Sequence, residues 1–135
     1  MKAIQMTAIK ELNYVEVATP EPKEDEVLLE IKAVGICGSD IPRILKSGPH
    51  TLPIIPGHEF AGKVVGTGRK VKNWEIGDKA SAAPMIPCFE CEWCKKGIYS
   101  LCEDYQYYGS RNDGAFAQYL AVKETCLLPI GKDTP

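Results

Sequence analysis

The chain has 135 residues, sixteen basic against eighteen acidic, a net charge of −2 at pH 7, and 44% hydrophobic residues. That length supports one domain with a hydrophobic core, and the absence of a basic stripe argues against a nucleic-acid binder. No apolar run approaches the ~18 residues a membrane span needs, and dispersed Gly and Pro with an ordinary charged fraction exclude a disordered or low-complexity chain.

Residues 2–9 and 12–17 read as a hairpin, with Glu11, Leu12 and Asn13 near its turn. A Pro- and acid-rich connector follows at 19–25. Residues 26–35 form the clearest strand: Val27, Leu29, Ile31 and Ala33 alternate with Leu28, Glu30, Lys32 and Val34. Both of its faces are partly apolar, which predicts a central position. Ser39 is placed to cap a short helix, with Asp40 in the first turn and Pro42 where helical N–H groups lack partners anyway.

After a Pro/Gly loop at 48–57, residues 60–66 read as a strand, and Gly66 and Gly68 punctuate a turn. A short strand at 79–83 is entered through Gly77-Asp78. A cysteine-rich lobe occupies 87–104, and strands at 114–122 and 125–130 complete the set. Many short strands separated by Gly and Pro predict a mainly β barrel or sandwich. Strand and helix do not alternate as in a Rossmann unit, and Gly66-Thr67-Gly68 lacks the third glycine and following helix of a dinucleotide fingerprint.

Cys88, Cys91, Cys94 and Cys102 stand in the order C-x2-C-x2-C-x7-C. Thiolates three residues apart can turn inward on one loop, and four of them complete the tetrahedron of a closed structural zinc site. The rival reading is two disulfides. Residues 1–10 have no apolar signal-peptide core, and Glu and Lys are plentiful, so a reducing, cytoplasmic setting and zinc are expected. The lobe's chief apolar residues are Phe89, Trp93, Ile98 and Leu101, too few to offset its ordering entropy by burial.

Cys37 and His58 are weak metal signals alone, because free cysteines are commonly buried and loop histidines commonly solvated. Their surroundings strengthen them. Cys37 lies between Gly35 and Gly38 at an expected helix N-terminus, which favours thiolate. Glu59 adds a carboxylate beside His58, and Asp40 is placed to orient the imidazole.

Gly57-His58-Glu59-x2-Gly62-x5-Gly68-x2-Val71, Gly35-Ile36-Cys37-Gly38-Ser39-Asp40 and the four-cysteine lobe occur in the order found in zinc-containing medium-chain alcohol and polyol dehydrogenases. Residues 1–135 resemble that family's N-terminal, GroES-like catalytic domain, a partly open β-barrel with short helices. Ser39-Asp40-Ile41-Pro42-Arg43-Ile44, Leu52-Pro53-Ile54, Pro87-Cys88-Phe89 and Tyr108-Gly109-Ser110-Arg111-Asn112-Asp113-Gly114 most resemble its galactitol-1-phosphate branch; sorbitol and threonine relatives share most of the scaffold.

The resemblance implies two zinc ions. Cys88, Cys91, Cys94 and Cys102 would hold a structural one; Cys37 and His58, with Glu59 as direct or exchanging ligand, a catalytic one. It also implies a further glutamate ligand downstream of residue 135 and a C-terminal Rossmann domain for NAD, so the 135 residues alone are expected not to turn over. The implied reaction is oxidation of a polyol phosphate to a ketose phosphate, and a homo-oligomer is expected.

Ser39 would accept the substrate proton, or serve only as a helix cap; the family's histidine three residues on is Pro42 here. Arg43 replaces an aromatic common in polyol enzymes. With Arg111 it offers guanidinium forks suited to phosphate, or is a surface residue. His50 reads as a solvated loop residue, Cys126 as a buried strand thiol, Trp74 and Trp93 as packing residues, and Tyr107 and Tyr108 as cleft or core. A zinc-stabilised binding module is the alternative, although it would not need Cys37, His58 and Glu59. A co-chaperonin-like oligomer rests on fold alone.

Overall fold

A computed structural model describes residues 1–131, 133 and 134. Its strands are β1 (Lys2–Ala8), β2 (Glu11–Glu16), β3 (Glu26–Gly35), β4 (Glu59–Thr67), β5 (Lys79–Ala82), β6 (Met85–Ile86), β7 (Gln106–Tyr107), β8 (Tyr119–Lys123) and β9 (Leu127–Pro129). Five of them form one antiparallel sheet in the order β8-β3-β4-β5-β9. β1 and β2 pair as a hairpin, which joins the rest through bridges from Ala3 to Ala117 and from Met6 to Ile54. β6 and β7 pair separately. The result is a mainly β, partly open barrel.

β3 sits between β8 and β4, as its two partly apolar faces required. Val27 and Leu29 on its inner face are fully buried, against Val64 of β4 and Val122 of β8. Burying each such side chain is worth about 1.5–3 kcal/mol. Phe60, Ala80, Tyr108, Leu120, Cys126 and Leu127 extend this core, with Trp74 packed at its margin. Cys126 lies in a 3-10 turn (Glu124–Cys126), not in a strand, with its thiol facing the Met85 carbonyl at 3.6 Å.

Several elements differ from the sequence expectation for identifiable reasons. The hairpin turns at Ile9 and Lys10, with Lys10 at φ 67°, two residues earlier than Glu11–Asn13 suggested. Gly66 remains in β4 opposite Leu28, and the turn falls at Arg69 and Lys70. Ser39 does not cap a helix with its side chain. It has helical φ and ψ, and the hydroxyl makes no cap bond to the one-turn α1 (Asp40–Pro42), which continues as a π-helical segment, Arg43–Ser47. Asp40 closes this turn instead: its amide donates to the Cys37 carbonyl at 2.9 Å and its Oδ2 accepts from the Cys37 amide at 3.0 Å. The strand expected over 114–122 begins only at Tyr119, because the amides of Ala115 and Phe116 donate across to Gly57 and Pro56, each at 2.9 Å. In the lobe, α2 (Glu92–Lys95) and a 3-10 turn (Tyr99–Leu101) supply its regular structure.

Candidate metal centres

The lobe turns its four thiols inward through backbone geometry. Phe89 adopts φ 61°, which lets the chain reverse between Cys88 and Cys91. The Cys91 amide points at Cys88 Sγ at 3.4 Å, the Cys94 amide at Cys91 Sγ at 3.5 Å, and the Cys88 amide at Cys102 Sγ at 3.3 Å. Backbone N–H groups aimed at sulfur favour thiolate. The amides of Glu103 and Cys94 pull the Cys91 thiol down to about 6, while burial, reinforced by the hydrogen bond with Cys102, pushes the Cys94 thiol up to about 12.

The four sulfurs lie within 4.8 Å of one another, and Cys88 Sγ and Cys94 Sγ are 3.9 Å apart. Two thiolates on one tetrahedral zinc at ~2.3 Å each would stand about 3.8 Å apart, whereas a disulfide needs about 2.05 Å. All six cysteines are free. The donor set therefore fits zinc and not two disulfides.

The second cluster forms where β3 ends and β4 begins. Gly35 and Glu59 are register partners, which brings the segment carrying Cys37 beside His58 and Glu59. Gly57 fixes the approach: its φ is +96°, and a Cβ there would meet Phe116 Cδ1 at 2.6 Å and its backbone N at 2.9 Å. Gly109 and Gly114 pack on Gly57 with the same closeness, so residues 109–114 brace the loop that presents His58.

Cys37, His58 and Glu59 place ligand atoms within 4.8 Å of one another. His58 is buried, and its Nδ1 lacks a hydrogen-bond partner among the described residues although Asp40 Oδ1 faces it at 3.3 Å. Nε2 lies on the other side of the ring, 3.4 Å from Ser39 Oγ. The Asp40 side chain is 1% exposed and touches three groups: the Cys37 amide, His58 Nδ1, and Arg43 Nη1 at 3.1 Å. A thiol, an imidazole and a carboxylate converging here fit a cation of zinc's preferences. Three protein donors would leave one position of a tetrahedral cation unfilled by these residues.

These residues border a cleft of about 520 Å³, walled also by Phe60, Ser81, Ala82, Pro84 and Tyr107. Tyr107 packs edge-on against His58 with ring centroids 5.7 Å apart. Burial raises its phenol above the ordinary range; the Arg43 charge opposes this, and Cys37, Asp40 and Glu59 reinforce it. Tyr107 belongs to the cleft, whereas Tyr108 belongs to the core.

Neither Arg43 nor Arg111 is a wall of the cleft. Arg43 is bound to Asp40, and Arg111 stacks over Tyr105 at 4.7 Å, next to Tyr107. Cys126 and the exposed His50 lie outside both clusters. Ser81, Ala82 and Pro84 were missed from the sequence because only the β5–β6 fold brings them over His58.

Residues 23–132 match the alcohol dehydrogenase GroES-like domain. Galactitol 1-phosphate 5-dehydrogenase of Escherichia coli (strain K12) is 43% identical over 125 residues, covering 92% of this chain and 36% of that protein. The crystal structure of galactitol-1-phosphate dehydrogenase from Escherichia coli superposes with a TM-score of 0.96 at 41% identity, over 100% of this chain and 39% of that one. A short chain alcohol dehydrogenase from E. coli CFT073, solved with its cofactor NADH, gives 0.91 at 29% identity over 98% and 39%. The chain thus spans little more than a third of the length of these relatives. No helix among the described residues is long and apolar enough to cross a membrane.

Proposed function

The chain belongs to the alcohol dehydrogenase GroES-like domain family, and from that premise we propose that it is the substrate-activating part of a zinc- and NAD-dependent polyol-phosphate dehydrogenase. The observation that carries this reading is the convergence of Cys37, His58 and Glu59 at the wall of a cleft. A binding module stabilised by the four-cysteine lobe would not need a second donor set open to solvent. Galactitol 1-phosphate is the proposed substrate, on the strength of the relative that acts on it. We assign the nucleotide to a Rossmann domain following this one, and the setting to the cytoplasm, with the assembled enzyme a homo-oligomer.

Zinc at this centre would supply a Lewis acid for the substrate hydroxyl, and NAD a hydride acceptor. The chain's own residues do the rest. Cys37 and His58 would hold the cation, with Glu59 as a third ligand whose carboxylate could yield to substrate or water. One thiolate and one carboxylate neutralise a dication, and a further carboxylate would make the cluster anionic and a weaker acid. Asp40 Oδ1 faces the imidazole on its Nδ1 side at 3.3 Å, which leaves Nε2, on the Ser39 side, as the nitrogen that would meet the cation. Ser39 Oγ, 3.4 Å from Nε2, is the acceptor we assign to the hydroxyl proton, which then passes to water because Pro42 carries no group to relay it. Phe60, Ala82 and Pro84 line the cleft with apolar surface beside the three donors.

We assign the substrate phosphate to Arg43 and Arg111, outside the cleft walls. Support comes from each guanidinium being pinned by a neighbour, Arg43 by Asp40 and Arg111 by the Tyr105 ring, which meets Tyr107 of the cleft. Pinning lowers the entropy lost when a phosphate is gripped. The test is NADH formation from galactitol 1-phosphate and from galactitol by this chain joined to its nucleotide domain. Arg43→Ala is expected to reduce the preference for the phosphorylated substrate by on the order of tenfold. A fully retained preference would remove Arg43 from the phosphate site.

A further inference from the structure

We propose that Gly35 is a positioning residue for the Cys37–His58–Glu59 centre: its missing side chain is the space in which the Glu59 carboxylate stands beside the other two donors. The inference rests on reading these three residues as a metal centre. Gly35 is the last residue of β3 and the register partner of Glu59, the first residue of β4. A Cβ at Gly35 would lie 2.6 Å from Glu59 Oε2, 3.3 Å from its Cβ and 3.7 Å from its Cδ. All three nearest atoms belong to that one side chain.

Backbone conformation does not demand the glycine. Gly35 is absent from the residues with positive φ, so an L side chain is conformationally acceptable there. The nearest obstacle is the end of an exposed, flexible side chain, which can rotate away from a methyl group at little cost. Gly62, also in this pair of strands, makes the contrast. There a Cβ would meet the Glu30 carbonyl oxygen at 2.4 Å, and backbone cannot step aside. Gly62 is required by the sheet, and Gly35 by the carboxylate. An alanine at 35 would spare the fold and displace the third donor from Cys37 and His58, whose ligand atoms Glu59 otherwise approaches within 4.8 Å.

Cadmium binding followed by 113Cd NMR tests this, because a centre with one sulfur and a centre with four resonate apart and each reports separately during chelator competition. Gly35→Ala is expected to weaken the one-sulfur centre by on the order of tenfold, the size typical of a lost orienting partner, while the four-sulfur resonance is unchanged. In a Glu59→Ala background, Gly35→Ala should have no further effect. An unchanged one-sulfur centre in Gly35→Ala would overturn the proposal, as would the same loss in both backgrounds, which would mean a backbone effect. If Glu59→Ala alone leaves affinity untouched, Glu59 is not a donor and the underlying reading fails first. Melting temperature gives a second readout. Most of any loss caused by Gly35→Ala should be relieved in the double variant, where only the Cβ at position 59 remains at 3.3 Å, and a loss that persists there in full contradicts the steric argument.

Discussion

Asp40 shows how one buried carboxylate can organise a site. It closes the turn carrying Cys37, faces His58 Nδ1 and holds Arg43, all with 1% of its side chain exposed. A charge so placed is tolerable because the Cys37 amide and the Arg43 guanidinium both donate to it. Asp40→Asn keeps the volume but removes the charge that opposes Arg43 and polarises the imidazole. We expect it to weaken metal at the Cys37 centre by about 10–100-fold without affecting the four-cysteine lobe, measured by chelator competition. Equal loss at both sites would mean general destabilisation instead. Gly57 works through conformation. With φ at +96° and the Phe116 backbone at 2.9 Å from a would-be Cβ, Gly57→Ala should cost at least ~2 kcal/mol in denaturant melts.

At the scale of elements, the lobe and the barrel draw stability from different sources. Phe89, Ile98, Tyr99 and Leu101 of the lobe are each at least 41% exposed, so burial contributes little there. Structural zinc is worth about 10–16 kcal/mol in small zinc-finger peptides, ample to hold such a segment. Cys91→Ser should therefore lose the lobe's metal and open residues 87–104 to proteolysis, while cadmium at the Cys37 centre persists. The barrel depends on packing and on a few internal polar contacts. Tyr108 is one of these: its hydroxyl accepts from the Lys123 amide at 2.9 Å, and burial raises its phenol above the ordinary value of 10.0. In the unfolded chain this phenol ionises near pH 10, and in the fold it stays neutral beyond that. Stability is complete below pH 10 and falls as pH rises above it. Tyr108→Phe should flatten this alkaline loss and cost about 1–2 kcal/mol at pH 7 by orphaning the Lys123 amide.

Elements whose own residues carry the signal were legible in the sequence, and β3 matched over its full length because alternation of Val27, Leu29 and Ile31 needs no partner to be read. β6 and β7, each two residues long, exist only because they meet, and nothing local to Met85 or Gln106 announces it. The same limit applied at the site. Cysteine spacing and the Gly57-His58-Glu59 motif pointed to both donor sets, whereas Asp40 displacing Ser39 as the closer of the turn, and Ser81, Ala82 and Pro84 as cleft walls, follow from tertiary contacts.

For the molecule as a whole, two donor sets on one β scaffold divide the work: one sits in a closed loop, the other opens on a cleft. The central claim is that the open set holds its own metal. Metal analysis of this chain joined to its nucleotide domain, beside Cys37→Ser and His58→Ala variants of the same protein, tests it most directly. Two zinc ions per chain are expected, one for each donor set, falling to one in either variant with the four-cysteine site still filled. A single zinc in all three proteins would contradict the account and leave a β barrel clipped by one structural metal.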